Sequence, residues 1–315
     1  MALSAQANRK SHILKVSIAA GLLAMLGGCA APSTPPVNPK SHETQGVEGQ
    51  SGANPATPAA SLKALQAWAE SGDVGAQYDL GLTLADSDSK AAGRWFEGAA
   101  LQGYGPAAYQ MGLMQSEPKR AVEWYSMASA MDHIGAQYKL GDAYLNARGT
   151  AMEPEWGMMW FERAARAGSV EAQRALGVAM ATGAAGTVQR REALMWLLIA
   201  ARQAMDVGGD AGADMISALK ARLNPAAIKL AEQQAEAWVK EVSSTDVGDR
   251  ATVRFTQHAL NRLGYDAGYA DGIDGERTYD AIVAFRAAEK MGGGGIDGAL
   301  LDRLRERLSD LKRRN

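Results

Sequence analysis

The chain of 315 residues holds one cysteine and four histidines. A lone thiol excludes an internal disulfide framework and any zinc site built on cysteines. Of the imidazoles, His12 and His42 fall in segments read below as lying outside the folded part. Only His133 and His258 are left for a metal or catalytic cluster, so neither cofactor nor metal is expected. A net charge of −2 lacks the basic excess that a nucleic-acid binder uses to neutralise phosphates. Long apolar runs are missing too. The stretch Val16 to Leu26 is interrupted by Gly21 and falls short of the roughly 20 residues that span a bilayer.

What the chain does have is a motif written four times between Ser61 and Ala201. Trp95, Trp124, Trp160 and Trp196 are each followed four residues later by alanine (Ala99, Ala128, Ala164, Ala200), and three of these add a second one. Ahead of them stand Leu80-Gly81, Met111-Gly112, Leu140-Gly141 and Leu176-Gly177, each four residues after Gln77, Ala108, Gln137 or Gln173. The tryptophans are 29, 36 and 36 residues apart, a period that signals stacked helix-turn-helix units. Glycine and paired alanine let backbones approach, and the tryptophan is expected to fill the gap between one repeat and the next. No unit could bury these faces alone, so neighbours must stack. Length varies only between the two helices of a unit.

The blocks Gly135-Ala136-Gln137-Tyr138-Lys139-Leu140-Gly141 and Trp160 through Gly168 resemble Sel-one-like repeats, relatives of tetratricopeptide repeats. The resemblance covers about half the chain. It implies an α-solenoid that serves as a protein-interaction scaffold and is silent on the partner.

Residues 1–29 read as an export leader. Arg9, Lys10 and Lys15 precede the short apolar stretch. The leader ends in Leu26-Gly27-Gly28-Cys29, which resembles the bacterial lipobox; the alternative is an ordinary signal or anchor helix with an incidental cysteine. The resemblance implies that Cys29, the only cysteine of the chain, takes acyl chains and anchors the protein to a membrane. Ala30 in place of aspartate favours the outer membrane by that family's sorting rule. Residues 30–60 hold six of the ten prolines among small polar residues and are read as a disordered tether.

The array, assigned to 61–242, opens with a half repeat in which Leu62, Leu65 and Trp68 share a helical face. Gly72, Gly103 and Gly168 occupy equivalent turns, and Asp132 replaces the second-repeat glycine, which makes His133 a solvated turn residue. Pro118 and Pro154 fit the first turn of a helix. Five methionines of the last two repeats (Met152, Met158, Met159, Met195, Met205) read as core, with a partner groove or a soft-metal site as the alternative. A closing helix runs from Ala226 to about Val242, and Ser243 to Asp246 form a linker.

Residues 247–311 hold a helix stopped at Gly264, a tight Asp-Gly loop with Asp274 placed to cap the next helix, and a third helix on Ile296, Leu300, Leu304 and Leu308. The blocks Gln257-x-x-Leu260-x-x-Leu263-Gly264-Tyr265, Asp271-Gly272-Ile273-Asp274-Gly275 and Ile296-Asp297-Gly298 resemble, in order, the peptidoglycan-binding-domain family. The resemblance implies a wall ligand on the loop and first helix, with Gln257, Asn261, Tyr265, Asp271, Asp274 and Thr278 as the candidate contacts. Taken singly, Asp271 and Asp274 are as well explained by turn shape and capping. Asp274 and Arg286 depart from the family pattern, as does the glycine run before Gly295. Five arginines and one lysine in the tail from Arg303 to Arg314 read as a solvated helix end, with contact to anionic wall polymers as the alternative.

The fold class that follows is all-α, a solenoid of helix-turn-helix repeats with a small three-helix domain behind it. The functional reading is a non-catalytic, lipid-anchored scaffold of the bacterial envelope, at the outer membrane and facing the periplasm. It holds peptidoglycan at one end and an unidentified envelope protein on the solenoid, with no nucleic acid. A surface-exposed adhesin and a peptidoglycan hydrolase or its accessory are the competing classes. No stretch long enough for a catalytic domain is left unassigned, and no nucleophile or histidine motif stands out.

Overall fold

A computed structural model of the chain describes residues 58–205, 212–241 and 248–314. The leader with Cys29 and nearly all of the proline-rich stretch lie outside the described residues, and so does the expected linker. The described part consists of helices, with no strand among the described residues, and Ala56–Asn315 form one compact unit. A lone helix α1 (Pro58–Glu70) precedes four antiparallel pairs: α2 (Val74–Leu84) with α3 (Ser89–Leu101), α4 (Gly105–Met114) with α5 (Pro118–Ala130), α6 (Ile134–Leu145) with α7 (Pro154–Arg166), and α8 (Val170–Thr182) with α9 (Arg190–Met205). Helices α10 (Ala213–Lys220) and α11 (Pro225–Ala237) close the array on α9.

Each pair is locked where an aromatic or leucine side chain lies on a bare backbone. A Cβ added to Gly81 would stand 2.5 Å from the Phe96 ring, on Gly112 2.4 Å from Tyr125, on Gly141 2.4 Å from Phe161, and on Gly177 2.7 Å from Leu197. The residue that seats on the glycine is therefore the one after the tryptophan, not the tryptophan itself. Of the four repeat tryptophans only Trp196 is fully buried. Trp95, packed with Leu65 and Ala69 of α1, and Trp124, packed on the cluster of α3 and α4, are half-buried but fill gaps as expected, whereas Trp160 joins a cluster with Phe255 and Leu260 instead.

The inter-repeat turns need left-handed backbone. Gly72, Gly103 and Gly168 have φ of +95°, +92° and +95°, and Asp132 takes the same place at +58°. Pro118 and Pro154 each occupy the first turn of their helix, where a missing N–H costs nothing. His133 is not a solvated turn residue. Its Nδ1 accepts from the Ala136 N–H at 3.2 Å to cap α6, and its ring stacks on Tyr109 at 4.4 Å. Burial pushes its pKa down. Trp68 is 63% exposed, because α1 turns Ala69 and Leu65 inward instead. The closing helix stops at Ala237, short of the expected Val242. There Trp238 leaves helical geometry (ψ 134°), its ring meets Trp196, and the Glu241 N–H donates to the Arg166 carbonyl.

Three helices follow: α12 (Arg250–Arg262), α13 (Glu276–Ala288) and α14 (Gly298–Arg314). Leu260, Ile282, Phe285, Leu300, Leu304 and Leu308 form their core. Arg286, a departure from the family pattern, is buried and binds the glycine run: its guanidinium donates to the Gly292 and Gly295 carbonyls and pairs with Asp297 at 2.7 Å.

This domain is docked on the array. Phe255 meets Trp156 edge-on at 5.0 Å, and Met159 of α7 belongs to the same apolar cluster as the domain's core. Around this contact the array supplies carboxylates and the domain supplies cations. Arg262 and Lys312 pair with Glu155, Arg305 binds Glu153 through two hydrogen bonds (2.6 and 3.0 Å) while lying over Trp156, and Arg254 bridges Glu162 and Glu192. In the reverse sense, Arg163 binds Asp249 at 2.7 Å and Thr252 at 2.8 Å. The tail is thus not a solvated helix end. Arg305 and Lys312 are spent on the array, and Arg303 and Arg307 are spent on Glu289. Met159 is core as expected and Met158 is half-buried, whereas Met152 is exposed.

Candidate functional site

The loop between α12 and α13 is built around one amide. Gln257 is 1% exposed, because α12 is buried along both the face toward the domain and the face toward the array. Its Oε1 accepts from the Gly272 N–H at 2.9 Å, and its Nε2 donates to the Ile273 carbonyl and to Thr278 Oγ1, both at 3.0 Å, and to Asp271 Oδ1 at 3.3 Å. The Thr278 hydroxyl, also buried, donates to the Ala267 carbonyl at 3.3 Å. Gly272 has φ +76° and lies against the Arg250 backbone, where a Cβ would stand 2.5 Å from a carbonyl oxygen. Asn261 pins the first half of the loop, accepting from the Ala267 N–H at 2.9 Å and donating to the Gly268 carbonyl at 2.8 Å.

The six residues read as ligand contacts therefore divide. Gln257 and Thr278 are buried and shape the loop from below; they position it and do not face solvent. Tyr265 is half-buried, its ring edge-on to Phe285 at 5.5 Å. Asn261, Asp271 and Asp274 are exposed. Asp271 accepts from the Ile273 N–H at 2.9 Å, and that bond holds its carboxyl below the usual range. Asp274 does not cap α13. The N-cap is Gly275 in extended geometry (φ −141°), with no side-chain bond, which leaves Asp274 one residue outside the capping register.

The exposed loop surface also carries residues the motif did not single out: Tyr269, Ile273 and, on α13, Tyr279. Their signal in the sequence was only that of large apolar side chains beside an Asp-Gly turn. Among the described residues there is no group of three or more histidine, cysteine or carboxylate side chains placed to hold a metal ion, and no helix long and apolar enough to cross a membrane.

The Gln257 hub sets a test. Replacing it by leucine strands the Gly272 N–H and part of the Thr278 and Asp271 bonding, at an expected cost of about 2 kcal/mol. Thermal unfolding of Gln257→Leu should show the loss, and hydrogen exchange should speed up at Gly272 before it does in the array. Unchanged protection at Gly272 would contradict the hub.

Comparisons with known proteins fit this architecture. The family described as "Sel1 repeat" matches residues 74–104, 98–133, 134–169 and 170–205, and the family described as "Putative peptidoglycan binding domain" matches 249–292. Among solved structures, a protective antigen of uropathogenic Escherichia coli with an SLR fold is similar at 24% identity and a TM-score of 0.54, over 65% of this chain and 45% of that one. The chain thus spans less than half the length of that protein. A Sel1 repeat protein from Oxalobacter formigenes is similar at 23% identity and a TM-score of 0.47, over 56% of this chain and 77% of that one. No curated protein matches the chain. The chain is a run of Sel1 repeats carrying, behind its closing helices, a domain of the peptidoglycan-binding type.

Proposed function

We propose that the protein is a non-catalytic scaffold of the bacterial envelope that binds peptidoglycan with the loop of its C-terminal domain and a protein partner with its repeats. The match of residues 249–292 to a peptidoglycan-binding family supports the wall contact. Asn261, Tyr265, Asp271 and Asp274 are the proposed ligand-facing set, with Gln257 and Thr278 holding them in place. Cys29 is the proposed lipidation site, read from the leader sequence, and the outer membrane facing the periplasm is the proposed location. Two attachments would raise the local concentration of the array at the wall even where each contact is weak.

The test uses the full-length protein and purified sacculi. Wild type should pellet with them and leave them intact, Gln257→Leu should pellet poorly, and Cys29→Ser should leave the membrane fraction. Point variants are preferable to truncation, because removing residues 248–314 would bare Trp156 and Met159. Solubilised sacculi would instead indicate a hydrolase, and failure to pellet would remove the wall contact.

A further inference from the structure

The wall reading places ligand contact on the loop of the small domain, yet the loop's most exposed aromatic side chain is held by the array. Tyr269 is 68% exposed, and its hydroxyl donates to Glu192 Oε1 of α9 at 2.8 Å. Glu192 is fixed from the other side by Arg254. Neither loop shape nor docking requires this contact. Gln257 and Asn261 set the loop, and Trp156, Phe255 and the Glu153 and Glu155 ion pairs seat the domain. A ring that stays in solvent while its tip is tied down is a preorganised platform, able to receive a ligand without first losing rotamer freedom.

Beside it stands a cation with charge to spare. Arg191, the neighbour of Glu192 on α9, is about one-third exposed and has a single long ion pair, 3.8 Å to the Glu192 carboxylate, with no hydrogen bond among the described residues. Arg191 Nη2 stands 3.8 Å from the same Glu192 Oε1 that accepts from the Tyr269 hydroxyl, so the guanidinium and the tip of the ring meet at one carboxylate oxygen. An aromatic face receives the C–H face of a sugar ring, and a guanidinium binds a carboxylate.

We propose that α9 of the array completes the binding surface, with Tyr269 as a platform for a sugar ring and Arg191 as the contact for a carboxylate of the attached peptide, so that the ligand is a peptide-bearing glycan read by both modules together. This rests on the wall reading above. It makes Glu192 a positioning residue that sets Tyr269.

The experiment measures binding of full-length protein to intact sacculi and, in solution, to the glycan strands that an amidase frees by removing the stem peptides. On intact sacculi, Arg191→Ala and Tyr269→Ala should each bind about tenfold more weakly than wild type, the size expected for losing a charge-assisted hydrogen bond or a principal packing contact. Arg94→Ala, an exposed arginine of α3, a helix that packs on α2 and α4 and not on α9, should bind as wild type. On stripped glycan the Arg191→Ala deficit should vanish while that of Tyr269→Ala persists. If wild type binds sacculi and both variants bind equally well, the shared surface is wrong and the wall reading stands. If wild type does not bind, the wall reading itself falls. An Arg191→Ala deficit of the same size on stripped glycan would overturn the carboxylate assignment. Unchanged thermal unfolding midpoints of the variants would show that binding, not folding, is being read.

Discussion

Glu162→Ala is expected to lower the unfolding free energy by about 3 kcal/mol, because it takes from Arg166 and Arg254 the more deeply buried of their two carboxylate partners and leaves them only Glu241 and Glu192. The Glu162 carboxylate is buried on α7, accepts from Arg166 at 2.7 and 3.0 Å, and faces Arg254 of the docked domain at 3.5 Å. Burial alone would push its pKa up, but Arg254 and Arg166 outweigh it and hold the carboxyl below its usual value of 4.5. The sign of the pH dependence follows. The pair's contribution is fully present above about pH 4.5, the unfolded value, and is lost as pH falls through the lower folded value. Denaturant unfolding of wild type and Glu162→Ala should therefore differ most near neutrality and converge in acid. A gap below 1 kcal/mol at pH 7 would mean that the network is not what couples domain to array. A double variant with Arg254→Ala should cost less than the sum of the two single changes, since both remove the one shared contact.

Gly141→Ala should cost about 3 kcal/mol, at the upper end for overpacking by one methyl group. The new Cβ would lie 2.4 Å from Phe161, and the helices are already so close that a Cβ on Gly157 would stand 2.8 Å from the Gly141 carbonyl, so neither side can retreat cheaply. The comparison that isolates packing from helix propensity is Gly93→Ala in α3. There the nearest atom is the tip of Met114 at 3.5 Å, and the change should stabilise by about 0.5–1 kcal/mol. Chemical denaturation of the two variants should move in opposite directions. Equal shifts would show that the glycines of the Leu-Gly pairs are ordinary helix glycines.

The architecture was readable because repetition makes its own control. Four copies of glycine, tryptophan and alanine at matched offsets mark helix pairs, and the equivalence of Gly72, Gly103, Asp132 and Gly168 could be drawn from spacing alone. Helix starts at Pro118 and Pro154, the stop at Gly264, and the inward leucines of the last helix follow from local chemistry that needs no distant partner. What spacing could not show was the docking. Arg254, Arg262, Arg305 and Lys312 find carboxylates 62 to 157 residues away, and a charge bound for a distant partner looks in sequence like a solvated one. The one usable clue was Trp156, a tryptophan outside the repeat frame beside an apolar Met-Met pair on a helix whose tryptophan face was already accounted for. Gln257 misled for a related reason: a motif amide looks the same whether it faces a ligand or spans a loop from beneath. Asp274 failed by one residue of capping register, and His133 was read as solvated although it is itself the cap of α6.

Helix α7 belongs to two bodies. Its Phe161, Ala164 and Ala165 complete the array, while its Trp156 and Met159 complete the C-terminal domain. The small domain is therefore not a cassette that recombination can lift out at the junction after the closing helices. A graft onto another array would arrive without half of its seat, and a bare array would be left with an apolar scar. Inheritance has to carry the last two helix pairs and the domain as one piece, and transplantation in the laboratory should respect the same seam, cutting before α6 and not at residue 243.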